Sequence, residues 1–134
     1  MEMDSQQVCQ DLLVLLGSIK ASFAHLAEVY SLTSIQMYAL YSIFEGSTTM
    51  GTVAGALHCD ASNVTGIIDR LVAQKLVSRE ECPQDRRTKR LTLTAKGKDL
   101  MQNVIASLPA QIGCAKLNDT ESKVLHDIAV KFAV

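Results

Sequence analysis

Nine basic side chains crowd the stretch from Arg70 to Lys98: Arg70, Lys75, Arg79, Arg86, Arg87, Lys89, Arg90, Lys96 and Lys98. Only Glu80, Glu81 and Asp85 oppose them, so the stretch carries +6 in a chain whose formal charge is −1, and the remainder carries −7. Positive charge gathered in this way suits a phosphate-contacting surface, because neutralising phosphates releases counterions and supplies sequence-independent affinity. A solvated basic face would look the same by charge alone. Other chemistries are poorly served. No paired carboxylates, Ser-His-Asp order or phosphate loop occurs at a usable spacing, which argues against an enzyme. Cys9, Cys59, Cys82 and Cys114 form no C-x-x-C pair, and His25, His58 and His126 stand alone, so no metal and no cofactor is expected.

The elements that must position the basic stretch follow from hydrophobic period and capping signals. Val8, Leu12, Leu15, Leu16, Ile19, Phe23, Leu26 and Val29 recur every three or four residues and predict a first helix over about 5–30. Leu13, Val14 and Ala24 broaden its apolar stripe, which fits either deep burial or a subunit interface. Thr33 and Gln36 read as a capping box opening a second helix, with Met37, Leu40, Tyr41 and Phe44 facing inward. Thr49 caps a short third helix to Leu57. After His58-Cys59, Asp60 is expected to cap a fourth, whose core face is Val64, Ile67, Ile68 and Leu71. Residues 77–81 and 88–93 read as two strands around a polar tip, Cys82 to Arg87. Thr94 caps a fifth helix that Pro109 should kink or break, and Asn118 with Glu121 opens the last.

Two short helices joined by a tight turn and followed by a basic hairpin have a logic in DNA recognition. A helix fits the major groove with its early residues at the base edges, and a hairpin can place an arginine in the minor groove. Ser62, Asn63 and Thr65 can bond base edges or phosphates, and Gly66 would let a DNA backbone approach closely.

These residues also resemble a known family. Leu32-Thr33-x-x-Gln36, Ser62-Asn63-Val64-Thr65-Gly66-Ile67-Ile68-Asp69-Arg70-Leu71 and Leu76-Val77-x-Arg79 are similar to MarR-type regulators. The most specific match is Asp85-Arg86-Arg87 with the downstream Leu91-Thr92-Leu93-Thr94-Ala95-Lys96-Gly97. The resemblance implies a mainly α fold with a small antiparallel β-hairpin, a winged helix-turn-helix flanked by dimerisation helices. It implies a recognition helix from Ala61 to about Gln74, with Ala61, Ser62, Asn63, Thr65, Gly66 and Arg70 at the DNA. Arg87 would enter the minor groove with Asp85 orienting the tip, while Arg86, Lys89 and Arg90 would contact phosphate. Asp69 and Arg70 are as well suited to an intramolecular pair, or to bridging Asp85, as to DNA contact.

The expected organisation is one domain, 1–134, with dimerisation helices over 5–30 and 95–134 and a DNA-binding lobe over 32–94. The expected partners are a second copy of the chain, a pseudo-palindromic DNA operator and a small aromatic or anionic effector, for which Tyr30, Tyr38 and Tyr41 could line a cavity. The expected activity is transcriptional regulation, by repression. Cys9 sits near where peroxide-sensing relatives carry a reactive cysteine, so a redox regulator is the alternative, although a buried structural thiol is the simpler reading; Cys82 on the wing should be exposed. A winged-helix protein-interaction module without DNA binding is the remaining rival. An acidic N-terminus and an apolar run, Leu12–Leu16, that stops at Gly17 point to a cytoplasmic protein without signal or membrane span.

Overall fold

Side-chain capping sets most of the helix starts. In a computed structural model describing residues 2–133, with the side chain of Arg86 outside the described residues, the order is α1 (Ser5–Val29), α2 (Ser34–Phe44), α3 (Met50–Leu57), α4 (Ala61–Ala73), β1 (Val77–Cys82), β2 (Asp85–Leu93), α5 (Ala95–Ile112) and α6 (Asp119–Phe132). A single turn of 3-10 helix, Cys114–Lys116, precedes α6. The mainly α class with one antiparallel hairpin is as expected. Reciprocal boxes close α2 through Thr33 and Gln36, α3 through Thr49 and Thr52, and α6 through Asn118 and Glu121. Thr94 receives the Gly97 N–H at 3.0 Å and so caps α5.

Several local expectations need correcting. The helix runs through Gly17 as expected, but the apolar stretch does not end there: the 25 residues of α1 are long and apolar enough by mean hydropathy to cross a membrane. One glycine costs only about 1 kcal/mol within a helix, too little to break it. Pro109 lies inside α5, which continues to Ile112 and ends where Gly113 turns left-handed at φ 93°. Phe44 is 37% exposed rather than inward, and Ile67 is only half-buried.

The chain forms two compact units, one from Ala24 to Val104 and one combining residues up to Phe23 with those from Ile105 onward. In the central unit, Met37, Leu40, Val53, Val64, Ile68, Leu71, Leu76, Val77, Leu91 and Met101 form a closed core. Among the described residues, every buried apolar side chain belongs to this unit. The terminal unit leaves Leu12, Leu15, Leu16 and Ile19 of α1 and Val124, Leu125, Ile128 and Phe132 of α6 exposed. Cys9 is exposed on α1, against the expectation of a buried thiol.

Candidate nucleic-acid interface

The interface begins at the turn between α3 and α4. His58 adopts the left-handed conformation (φ 52°) and the Cys59 N–H reaches back to the Ala54 carbonyl at 3.1 Å, so the chain reverses within three residues. Asp60 corrects a second expectation: its carboxylate makes no cap hydrogen bond. Its backbone carbonyl instead accepts from Asn63 at 3.1 Å and Val64 at 3.3 Å. Buried Val64, Ile68 and Leu71 fix which face of α4 turns inward. Ala61, Ser62, Asn63, Thr65, Gly66, Asp69 and Arg70 are then all exposed. Thr65 donates its hydroxyl to the Ala61 carbonyl at 3.2 Å. Among the described residues nothing lies within 4 Å of a Cβ built on Gly66, so nothing in this chain requires its smallness.

The wing is longer and tighter-tipped than expected. β2 starts at Asp85, not Thr88, and the turn shrinks to Pro83-Gln84. Antiparallel pairing runs Val77 with Leu93, Arg79 with Leu91 and Glu81 with Lys89, then jumps to Cys82 with Asp85. Among the described residues, Arg87 and Thr88 have no partner in that register, so β2 bulges there. Asp85 closes the bulge from both sides. Its Oδ1 accepts the Arg87 backbone N–H at 3.0 Å and its Oδ2 accepts the Thr88 hydroxyl at 3.3 Å. A charge-assisted bond to a backbone amide holds Arg87 at the main chain and leaves its exposed guanidinium unengaged by Asp85. Lys89 pairs across the strands with Glu81 at 3.4 Å, and Arg90 stands opposite Glu80. Cys82, expected to be exposed, is half-buried beside the bulge.

Two anchors hold the wing to the helices. At one edge the Leu91 N–H donates to the Thr48 carbonyl at 2.7 Å and Thr49 bridges Arg90, which makes a vestigial third strand that the sequence did not disclose. At the base, the Leu76 carbonyl accepts the Thr94 N–H at 3.1 Å while the Thr94 hydroxyl donates to the Lys75 carbonyl at 2.6 Å. Lys96 adds a bond to the Gln74 carbonyl at 3.1 Å. A Cβ on Gly97 would lie 2.2 Å from the Leu76 oxygen, so only glycine lets α5 start this close.

Asp69 pairs with Arg79 of β1, rather than with Arg70 or Asp85. A polar side chain at Arg79, in step with the core-facing Val77, was the available signal for such a partner. Tyr38 and Tyr41 bring their rings within 6.2 Å on α2, and burial and the neighbouring Glu45 raise the Tyr41 phenol above its ordinary value. A cavity of about 320 Å³ lies at the wing base, lined by Ile43, Phe44, Thr48, Leu91 and Lys98 among others, not by the tyrosines. Among the described residues no group of three or more metal-ligating side chains gathers.

Comparison with known proteins agrees with this geometry. Residues 32–89 match the model of the MarR family. The HTH-type transcriptional regulator YsmB of Bacillus subtilis (strain 168) is 33% identical over 88 residues, which span 65% of this chain and 60% of YsmB. The corresponding figures for YhbI of the same organism are 27% over 106 residues, 76% and 68%. Among solved structures, Bordetella bronchiseptica BpsR, whose DNA binding is regulated by 6-hydroxynicotinic acid, is 27% identical with a TM-score of 0.75 over 94% of this chain and 98% of its own. MarR from E. coli in complex with operator DNA shares the fold at 19% identity, with a TM-score of 0.77 over 96% and 94%.

Proposed function

We propose that the chain, whose residues 32–89 match the model of the MarR family, regulates transcription by binding double-stranded DNA as a homodimer. The observation that carries this reading is the pairing of an exposed, small and polar α4 face with a wing bulge closed by Asp85, both within or beside the basic stretch. Ser62, Asn63 and Thr65 would meet base edges or phosphates in the major groove, with Ala61 and Gly66 allowing close approach and Arg70 flanking them. Arg87 would enter the minor groove, and Arg86, Lys89 and Arg90 would track the backbone.

What supports the dimer is the terminal unit, whose described apolar side chains are at most half-buried within one chain. A second copy would cover α1 and α6 in a two-fold arrangement, with the two α4 helices about one DNA turn, roughly 34 Å, apart. The apolar α1 is then an interface helix rather than a membrane span, in keeping with a cytoplasmic regulator. Occupying a pseudo-palindromic operator would repress the adjoining gene. A small anionic effector with an apolar body would suit the open cavity at the wing base, where Lys98 would meet its charge and its binding would bear on β2 and release DNA.

Selection of duplexes by the full chain from a random-sequence pool tests the reading. Enrichment of an inverted repeat is expected. On the selected duplex, Arg87→Ala should weaken binding by about 1–3 kcal/mol. Asp85→Ala should also weaken it, although removing an acid would by charge alone strengthen it. No enrichment, or Asp85→Ala binding more tightly than wild type, overturns the reading of the wing.

A further inference from the structure

We propose that the ion pair between Asp69 of α4 and Arg79 of β1 is a brace that sets the recognition helix against the wing, which makes both of them positioning residues for sequence-specific binding; the inference rests on the DNA-binding reading above. Arg79 lies opposite Leu91, which is 1% exposed, on the strand face that packs inward at Val77 and Leu91. Its guanidinium meets the Asp69 carboxylate. Asp69 in turn stands seven residues, about two helical turns, after Ser62 on the exposed face of α4.

A bare carboxylate on that face would repel the phosphates that the rest of the segment attracts. Paired with Arg79, it is neutralised and becomes a tie. The covalent route between the two residues is only the end of α4, a turn through Lys75 at φ 62°, and the first residues of β1. Closing that short path with an ion pair fixes the angle at which the strand leaves the helix. Exposed pairs of this kind, here with side chains 34% and 55% accessible, add little to folding stability. Their value lies in pre-organisation: a helix in one groove and a wing in the next bind together only if their spacing is already correct. Unrelated DNA, held by charge alone, does not need that spacing.

The test compares Asp69→Asn, Arg79→Gln, the double neutral variant and the reversed pair Asp69→Arg/Arg79→Asp. Each is titrated against a duplex selected by the wild-type chain and against the unselected random duplex. Asp69→Asn should bind the selected duplex about three- to fivefold more weakly, the scale of one exposed pair. It should bind random duplex as well as wild type or better, since it has lost a negative charge. The double neutral variant should discriminate no worse than either single one. The reversed pair should recover most of the ratio between selected and random duplex. Melting temperatures should stay within a few degrees throughout. If Asp69→Asn tightens both duplexes alike, Asp69 is only a repulsive charge and there is no brace. If the reversed pair discriminates no better than Arg79→Gln, Arg79 acts on DNA directly and the inference is likewise overturned. Arg87→Ala separates the two levels: an effect there with none at Asp69 removes the brace alone, whereas no effect at Arg87 removes the wing reading beneath it.

Discussion

Replacing Gly97 by alanine should destabilise the fold even though alanine is the better helix former. The added Cβ would sit 2.2 Å from the Leu76 carbonyl oxygen and 3.1 Å from its carbon. Ordinary contacts of this kind begin near 3.3 Å, so α5 must retreat by about 1 Å. That retreat strains the Thr94 N–H bond to the same carbonyl, the Thr94 hydroxyl bond to Lys75 and the Gly97 N–H bond to Thr94. Overpacking costs about 1–3 kcal/mol and weakening these three hydrogen bonds about 1–2 in all, against roughly 1 gained in helix propensity. The net loss runs from about 1 to 4 kcal/mol, with its middle at about 2–3. With a denaturant slope of about 1–3 kcal/mol per molar, the urea midpoint should fall by about 1–2 M at fixed protein concentration. A midpoint equal to or above that of wild type would show that propensity governs the site, and that the close approach at Leu76 relaxes without cost.

Lys75 holds a left-handed conformation at φ 62°. Relief of about 1–2 kcal/mol, less about 0.4–1 for the freer unfolded chain, makes Lys75→Gly stabilising by roughly 0.5–1 kcal/mol in urea titration. Lys89→Ala should reduce the salt dependence of DNA binding by about one counterion, acting alike on selected and random duplex, because Lys89 reads charge and not sequence. Tyr41 holds its proton to higher pH in the folded chain than in the unfolded one, owing first to burial and then to Glu45. That contribution is complete below pH 10.0 and is lost as pH rises through the folded value. Tyr41→Phe should therefore lose less stability than wild type on titration above that pH.

Capping and periodicity made most of the fold legible, because both are local. Thr33 with Gln36, Thr94, and Asn118 with Glu121 announce helix starts through bonds that span three residues. The exposed polar face of α4 is likewise fixed by Val64, Ile68 and Leu71 alone. What escaped notice depends on residues far apart in sequence. The bond from Leu91 to Thr48, the tie from Thr94 to Lys75 and the pair of Asp69 with Arg79 each need the tertiary fold to exist. Strand extent is hidden in the sequence for a related reason: Asp85 to Arg87 are polar and look like a loop, yet one carboxylate bonding to residues 87 and 88 lets the strand continue through them. The exposure of Cys9 was unforeseeable from α1 alone, since a broad apolar stripe does not say whether its cover lies in the same chain.

A terminal unit in which no described apolar side chain is fully buried has a consequence for the life of the protein in a cell. If the proposed homodimer is the finished form, newly made chains complete their structure only on meeting one another, and association becomes the final, second-order step of folding. Solitary chains keep sticky helices on display for chaperones and proteases, while paired ones do not. The amount of finished dimer would then rise more steeply than its rate of synthesis at low expression. Diluting it at cell division removes function faster than it removes polypeptide.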